Sequence, residues 1–192
     1  KAQVFNLAYD NFLGRMGVCR MYEGVIKDGQ KVFAKDTEGK VHAGKISKLF
    51  SFEGVTRKPV EEAMAGDIMM IAGLPDIFIG QTIVDLETTE PMPEIKVDEP
   101  TVSFNMMVND SPFVGRAGKL LTSRQIRERL EKELEVNVGL RVDFGDQAKY
   151  KVYGRGELHL AILIENMRRE GFELAVSQPE VIIKDIDGVK SE

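Results

Sequence analysis

The sequence predicts a chain of mixed β and α+β class: a small closed β-barrel, then a ferredoxin-like split βαβ sandwich in βαββαβ order. Three observations predict it. Short alternating or apolar runs fill the first half, cut by turn signals. Pro91, Pro93 and Pro100 sit among carboxylates at residues 86–100, which suits neither a helix nor a central strand. From residue 101 onward, strand-like runs alternate with two segments of helical period.

The candidate barrel strands are AQVFNLAY (2–9), RMGVCRMYEGVI (15–26), QKVFAK (30–35), KVHAGKISKLF (40–50) and DIMMIAGL (67–74). Turn signals stand at Asp28-Gly29, Glu38-Gly39 and Ala65-Gly66-Asp67. Closing many short strands into a barrel removes the edges that would otherwise aggregate. Pro75, the proline nearest a candidate strand, follows Gly73-Leu74 and belongs to a turn. The barrel is expected over 1–85 and an extended linker over 86–100.

A second domain is expected over 101–178. TVSFNMMV (101–108) reads as a strand and SPFVGRAGKLL (111–121) as a loop. Thr122 with Gln125 three residues on forms a capping box, and Leu121 with Ile126 the matching hydrophobic staple. Ile126, Leu130 and Leu134 then face inward, while Arg127–Glu131 and Glu128–Lys132 have ion-pair spacing. VNVGLRVDF (136–144) and AKYKVY (148–153) read as strands joined by a turn at Gly145-Asp146. A helix over 156–170 stops at Gly171 in a left-handed cap, and Phe172, Leu174 and Val176 alternate as the last strand. Residues 179–192 do not fit this unit and read as a connection to something further.

The second helix carries two apolar stripes. Leu160, Leu163, Ile164 and Met167 make one; Leu158 and Ile162 lie nearly opposite. The second stripe has two readings, packing against the neighbouring helix or docking another domain.

Composition narrows the chemistry. Lys and Arg number 26 against 31 Asp and Glu, so any nucleic-acid contact must use a local patch. The single cysteine, Cys19, excludes an intrachain disulfide and a cysteine-based zinc cluster, and reads as a small buried hydrophobe in a reducing compartment. No apolar run approaches a membrane span and no signal-peptide core opens the chain. A phosphate loop is absent: Gln30 stands where GVIKDGQK would need lysine. His42 and His159 lack a second ligand at metal spacing, and Glu61-Glu62 and Asp185/Asp187 have no catalytic partner. No catalytic, cofactor-binding or metal residue is assigned. Arg116 and Lys119 of the GRAG loop, with Arg124 and Arg127 after it, gather positive charge near a helix N-terminus. They read either as a contact for an RNA phosphate backbone or as a solvated basic surface.

The runs GRMGVCRMYEGVIKDGQKV (14–32) and AGDIMMIAGLPDIFIGQTI (65–83) resemble the barrel second domain of translational GTPases. GRGELHLAILIENMRREGFELAVSQPEV (154–181) resembles the third domain of elongation factor G and its relatives. NMMVNDSPFVGRAGKLLTSRQIRERLEKELEVNVGLRV (105–142) is similar to the BipA/TypA family of ribosome-associated GTPases, with GRAG where GREG is expected. The resemblance implies a translation-factor-type barrel and an elongation factor G domain III-like unit. It implies a bacterial cytoplasmic protein that acts in ribosome assembly, translation and stress adaptation, with rRNA and ribosomal proteins as partners. It further implies that GTP and Mg²⁺ belong to a G domain ahead of residue 1, with further domains after residue 192. The chain then has no hydrolytic activity of its own and relays the GTP state, with Leu158 and Ile162 as docking residues. The competing expectation is a free-standing RNA-binding module without a GTP switch.

Overall fold

The computed structural model describes residues 1–146, 149–186 and 189–191, in two compact units, 1–96 and 97–192.

The first unit is a barrel. Its strands are β1 (Ala2–Asp10), β2 (Gly14–Met21), β3 (Val25–Lys27), β4 (Lys31–Lys35), β5 (Val41–Lys45), β6 (Lys48–Glu53), β7 (Thr56–Pro59), β8 (Glu62–Met64), β9 (Ile68–Ala72) and β10 (Thr82–Val84). The main sheet runs β5-β4-β10-β1-β2-β9-β6-β7, and β3 pairs with β8 apart from it. Only Ile46 and Ser47 separate β5, one end of the sheet, from β6, the strand next to its other end, so one bent stretch of chain joins the two sides. Its corner is tied to each side: Ile46 N–H donates to the Gln30 carbonyl at 3.0 Å and Ser47 N–H to the Ala72 carbonyl at 2.9 Å. Sharing that segment closes the barrel.

Closure requires Gly73. Its φ is +103°, and an added Cβ would strike the Lys45 carbonyl oxygen and approach Ser47 N to 2.6 Å. Val4, Leu49, Met69, Ile71, Ile77 and Ile83 are all essentially inaccessible to water. Cys19 is buried too, and burial pushes its thiol pKa up. It is an inert packing residue, as its place in an alternating run predicts.

Several short strands depart from the sequence reading. The run 15–26 splits at Gly24 into β2 and β3, and 40–50 splits at the corner. Strand β7 is polar and β8 and β10 are three residues each, too short to show as periodic runs. Pro59 lies within β7, where an edge position tolerates its missing N–H. Beyond β10 the tract expected as an extended linker turns at Leu86–Thr89, then runs without regular secondary structure and is bonded to the barrel. Gln3 donates to the Pro93 carbonyl at 2.6 Å, Met92 N–H to Thr82 Oγ1 at 2.8 Å, and Lys35 to the Glu87 and Thr89 carbonyls. Side chains make these bonds because proline interrupts any backbone ladder.

The second unit contains β11 (Val102–Val108), α1 (Ser123–Leu134), β12 (Arg141–Asp146), β13 (Lys149–Gly154), α2 (Glu157–Arg169) and β14 (Leu174–Val176). The order β12-β13-β11-β14, antiparallel throughout, is the split βαβ arrangement. Phe104 and Met106 of β11 and Tyr150 and Val152 of β13 meet Ile126 and Leu130 of α1 and Leu160, Leu163 and Met167 of α2 in one core. The capping box forms as predicted, with Thr122 as N-cap and both Thr122–Gln125 bonds present. Gly171 ends α2 with φ +93°.

Several boundaries differ. The strand expected from residue 136 begins only at Arg141, because the chain first turns, with Leu140 N–H donating to the Asn137 carbonyl at 3.1 Å. Strand β12 runs on through Gly145 and Asp146, the expected turn, with a register shift after Asp143; the connection at 147–148 lies outside the described residues. Beyond Pro179, β15 (Glu180–Val181) rejoins the sheet opposite Val102 and Ser103, where the sequence pattern left residues outside the unit. Pro179 breaks the ladder for one step and the chain then re-enters it. β16 (Lys184–Ile186) and β17 (Val189–Ser191) form a hairpin.

Candidate functional site

The loop between β11 and α1 is built around one carboxylate. Glu173, just before β14, is 8% exposed and accepts from Asn109 Nδ2 at 2.6 Å. It also accepts the backbone N–H groups of Ala117 and Gly118 at 3.0 Å each, and of Gly115 at 3.1 and 3.2 Å. These donors, Ala117 first, hold its carboxyl below the ordinary glutamate range. Convergent N–H groups of this kind make an anion nest. Here the nest is filled from within the fold.

The chain on both sides of Glu173 clamps the loop as well. Lys119 and Leu120 N–H donate to the Gly171 carbonyl at 3.0 and 3.1 Å, and Leu120 pairs with Phe172 in a parallel bridge. Gly118 is needed at this crossing, because a Cβ there would lie 2.6 Å from the Gly171 oxygen and 2.9 Å from Glu173 N. The loop tip faces water. Phe113 is 60% exposed, Val114 is exposed, and the Arg116 guanidinium sits 4.8 Å from the Phe113 ring centre.

The four cations expected to form one patch divide into two kinds. Arg124 Nε bonds Glu128 at 2.8 Å and Arg127 Nε bonds Glu131 at 2.8 Å; Arg127 also lies 5.0 Å over the Phe144 ring. Glu128 thus pairs backward with Arg124 rather than forward with Lys132, since a guanidinium reaches the carboxylate with directed donors. Arg116 and Lys119 are exposed and have no carboxylate within ion-pair distance among the described residues. Backbone N–H groups of the GRAG loop are not open to a phosphate: Glu173 holds those of Gly115, Ala117 and Gly118, and the Phe113 carbonyl holds that of Arg116 at 3.3 Å.

The second stripe of α2 stays exposed. Leu158 is 73% and Ile162 52% exposed, so neither packs against α1. Beside the core that α1 and α2 share, Arg129 bonds both oxygens of Glu170 at 2.6 and 2.8 Å and Glu133 at 2.8 Å. Glu133 accepts from Asn137 at 3.0 Å, and Asn137 Oδ1 lies 3.0 Å from His159 Nε2. His159 Nδ1 accepts the Arg155 N–H at 3.3 Å, which places the proton on Nε2. Burial first, then the Arg155 charge, lowers the His159 pKa. Both ring nitrogens serve structure.

The remaining sequence candidates have ordinary surroundings. His42 is half exposed, 3.9 Å from Asp76; Glu62 pairs with Lys27; Glu61 is exposed. Asp187 lies outside the described residues, and the side chain of Asp185 is likewise undescribed. No three of His, Cys, Asp and Glu converge as a metal site among the described residues, and no described helix is long and apolar enough to cross a membrane. Sequence reasoning misses Glu173, whose partners lie 55 to 64 residues away, and Asn137, whose bond to His159 spans 22 residues although its bond to Glu133 is local. Phe113 carries a local signal, an aromatic ring beside Pro112 in a glycine-containing loop, that marks it as a surface group.

Comparison with known proteins agrees with this architecture. Residues 14–84 match the family model for elongation factor Tu domain 2. Over 191 residues, 99% of the chain, it is 47% identical to the large ribosomal subunit assembly factor BipA of Bacillus subtilis, 49% to that of Synechocystis and 50% to that of Haemophilus influenzae. The chain spans 31%, 32% and 31% of those relatives, about a third of their length. The crystal structure of ttk003000868 from Thermus thermophilus shares the fold at TM-score 0.64 and 23% identity, over 95% of this chain and 25% of that one.

Proposed function

As a segment of the BipA/TypA family, containing its translation-factor barrel and the unit behind it, this chain, we propose, forms the non-catalytic middle of a ribosome-binding GTPase. GTP and Mg²⁺ are held by a G domain outside the segment, and the two units contact rRNA and ribosomal proteins and relay the nucleotide state during ribosome assembly, translation and stress adaptation in the cytoplasm. One observation carries the reading: Leu158 and Ile162 stand exposed on a helix whose opposite face is committed to the core. An apolar pair of this kind on a rigid helix suits docking by another domain of the parent. The relatives this chain matches are about three times as long, which leaves room for such a domain.

The parent protein tests this in ribosome co-sedimentation with GTP and with GDP. Wild type is expected to bind better with GTP. Leu158→Asp with Ile162→Asp is expected to abolish the difference while leaving basal GTP hydrolysis in place. An unchanged nucleotide dependence would refute the relay. Arg116 and Lys119 also support a second reading, a free-standing RNA-binding module. Tight, salt-sensitive ribosome binding by residues 1–192 alone, insensitive to the Leu158 and Ile162 changes, would favour it.

A further inference from the structure

We propose that the tip of the 109–121 loop is a platform for one unpaired RNA nucleotide: its base stacks on the Phe113–Arg116 pair and Lys119 takes the adjoining phosphate. This rests on the ribosome-facing reading above and names the chemistry of the contact.

Phe113 exposes 60% of its surface, and the Arg116 guanidinium lies over the ring at 4.8 Å. A flat ring beside a flat cation is the surface on which unstacked bases settle, because every base offers a π-face to both. Of the four basic residues around the loop, Arg116 and Lys119 lack an ion-pair partner among the described residues, whereas Arg124 and Arg127 are neutralised on their own helix. Asp110 is the other exposed charge of the loop. An acidic protein surface would satisfy the two cations but has no particular use for the ring, so the combination favours a nucleotide.

The platform is preorganised. Glu173 ties Gly115, Ala117 and Gly118, the residues around Arg116, and Gly171 ties Lys119, so little loop entropy is lost when a ligand arrives. Glu173 is therefore a positioning residue. It touches no nucleotide, and its carboxylate takes the N–H groups that would otherwise bind a phosphate in a different pose.

The test is a titration of the 192-residue chain with a short unstructured RNA carrying 2-aminopurine, whose fluorescence falls on stacking. Wild type is expected to quench it, and Phe113→Leu, which keeps the apolar bulk, to lose the quenching and on the order of tenfold in affinity. Lys119→Ala should weaken binding and reduce its salt dependence while quenching at saturation remains. Glu173→Gln should lower both affinity and quenching while the far-ultraviolet circular dichroism stays that of wild type. Equal quenching by wild type and Phe113→Leu, equal affinity for a duplex of the same sequence, or no RNA binding by wild type would overturn the platform. Nucleotide-dependent ribosome binding by the parent, measured alongside, separates the outcomes: if it persists while the platform fails, only this inference falls.

Discussion

Arg129 of α1 grips both carboxylate oxygens of Glu170, the C-cap of α2, at 2.6 and 2.8 Å, while its third nitrogen holds Glu133 at 2.8 Å. The guanidinium fork thus bolts two helices together beside the core they share. Glu170, with Arg129 as the main cause, has its pKa lowered, and that of Arg129 is raised.

Removing the bolt should be costly. Arg129→Ala is expected to destabilise the second unit by about 2 kcal/mol, less than the loss for a wholly buried pair because Glu170 is 43% exposed. Arg129→Lys should recover only part of it, since an ammonium cannot make the bidentate contact. Hydrogen exchange of β13 amides reads the second unit separately from the barrel. Equal protection in Arg129→Ala and wild type would refute the role.

His159 makes the second unit sensitive to mild acid. Its folded pKa lies below the ordinary 6.5, so the folded state binds its proton later than the unfolded chain does. The stabilisation is complete above about pH 6.5 and declines as pH falls from there toward the folded value. His159→Gln should flatten the pH dependence of unfolding in that window. An identical slope in the variant would assign the dependence elsewhere.

Gly73 and Gly54 both have positive φ, yet only Gly73 faces backbone where a side chain would grow. Gly73→Ala is expected to destabilise the barrel by more than about 2 kcal/mol, through strain plus collision with the β5–β6 corner. Gly54→Ala has open space and should cost only about 1 kcal/mol. Denaturant midpoints of the barrel amides by hydrogen exchange compare the two; equal costs would mean that the corner adapts.

For Leu158 and Ile162 the expected outcome depends on context. In the 192-residue chain, Leu158→Asp with Ile162→Asp should alter stability by less than about 0.5 kcal/mol, because both side chains already face water. In the parent protein the same pair should raise hydrogen exchange along α2 wherever another domain covers it. Destabilisation of the short chain would show that the pair supports the fold instead.

The sequence by itself determined what neighbours along the chain decide. Thr122 and Gln125 lie one helical turn apart, Gly171 follows the last periodic residue of α2, and strand alternation in 101–108 assigns Phe104 and Met106 to one face. These rest on hydrogen bonds and periodicities spanning a few residues, so their signals survive in the primary structure. Tertiary structure decided which charges are neutralised and which apolar groups stay wet. Glu173 reaches donors 55 to 64 residues away and Glu170 an arginine 41 residues away, so no local spacing reveals either. Leu158 and Ile162 read from sequence as helix packing or as docking, and only their exposure in the folded unit excludes packing against α1. Burial and through-space charge depend on where folding brings distant segments, and only the assembled sheet and helices supply that.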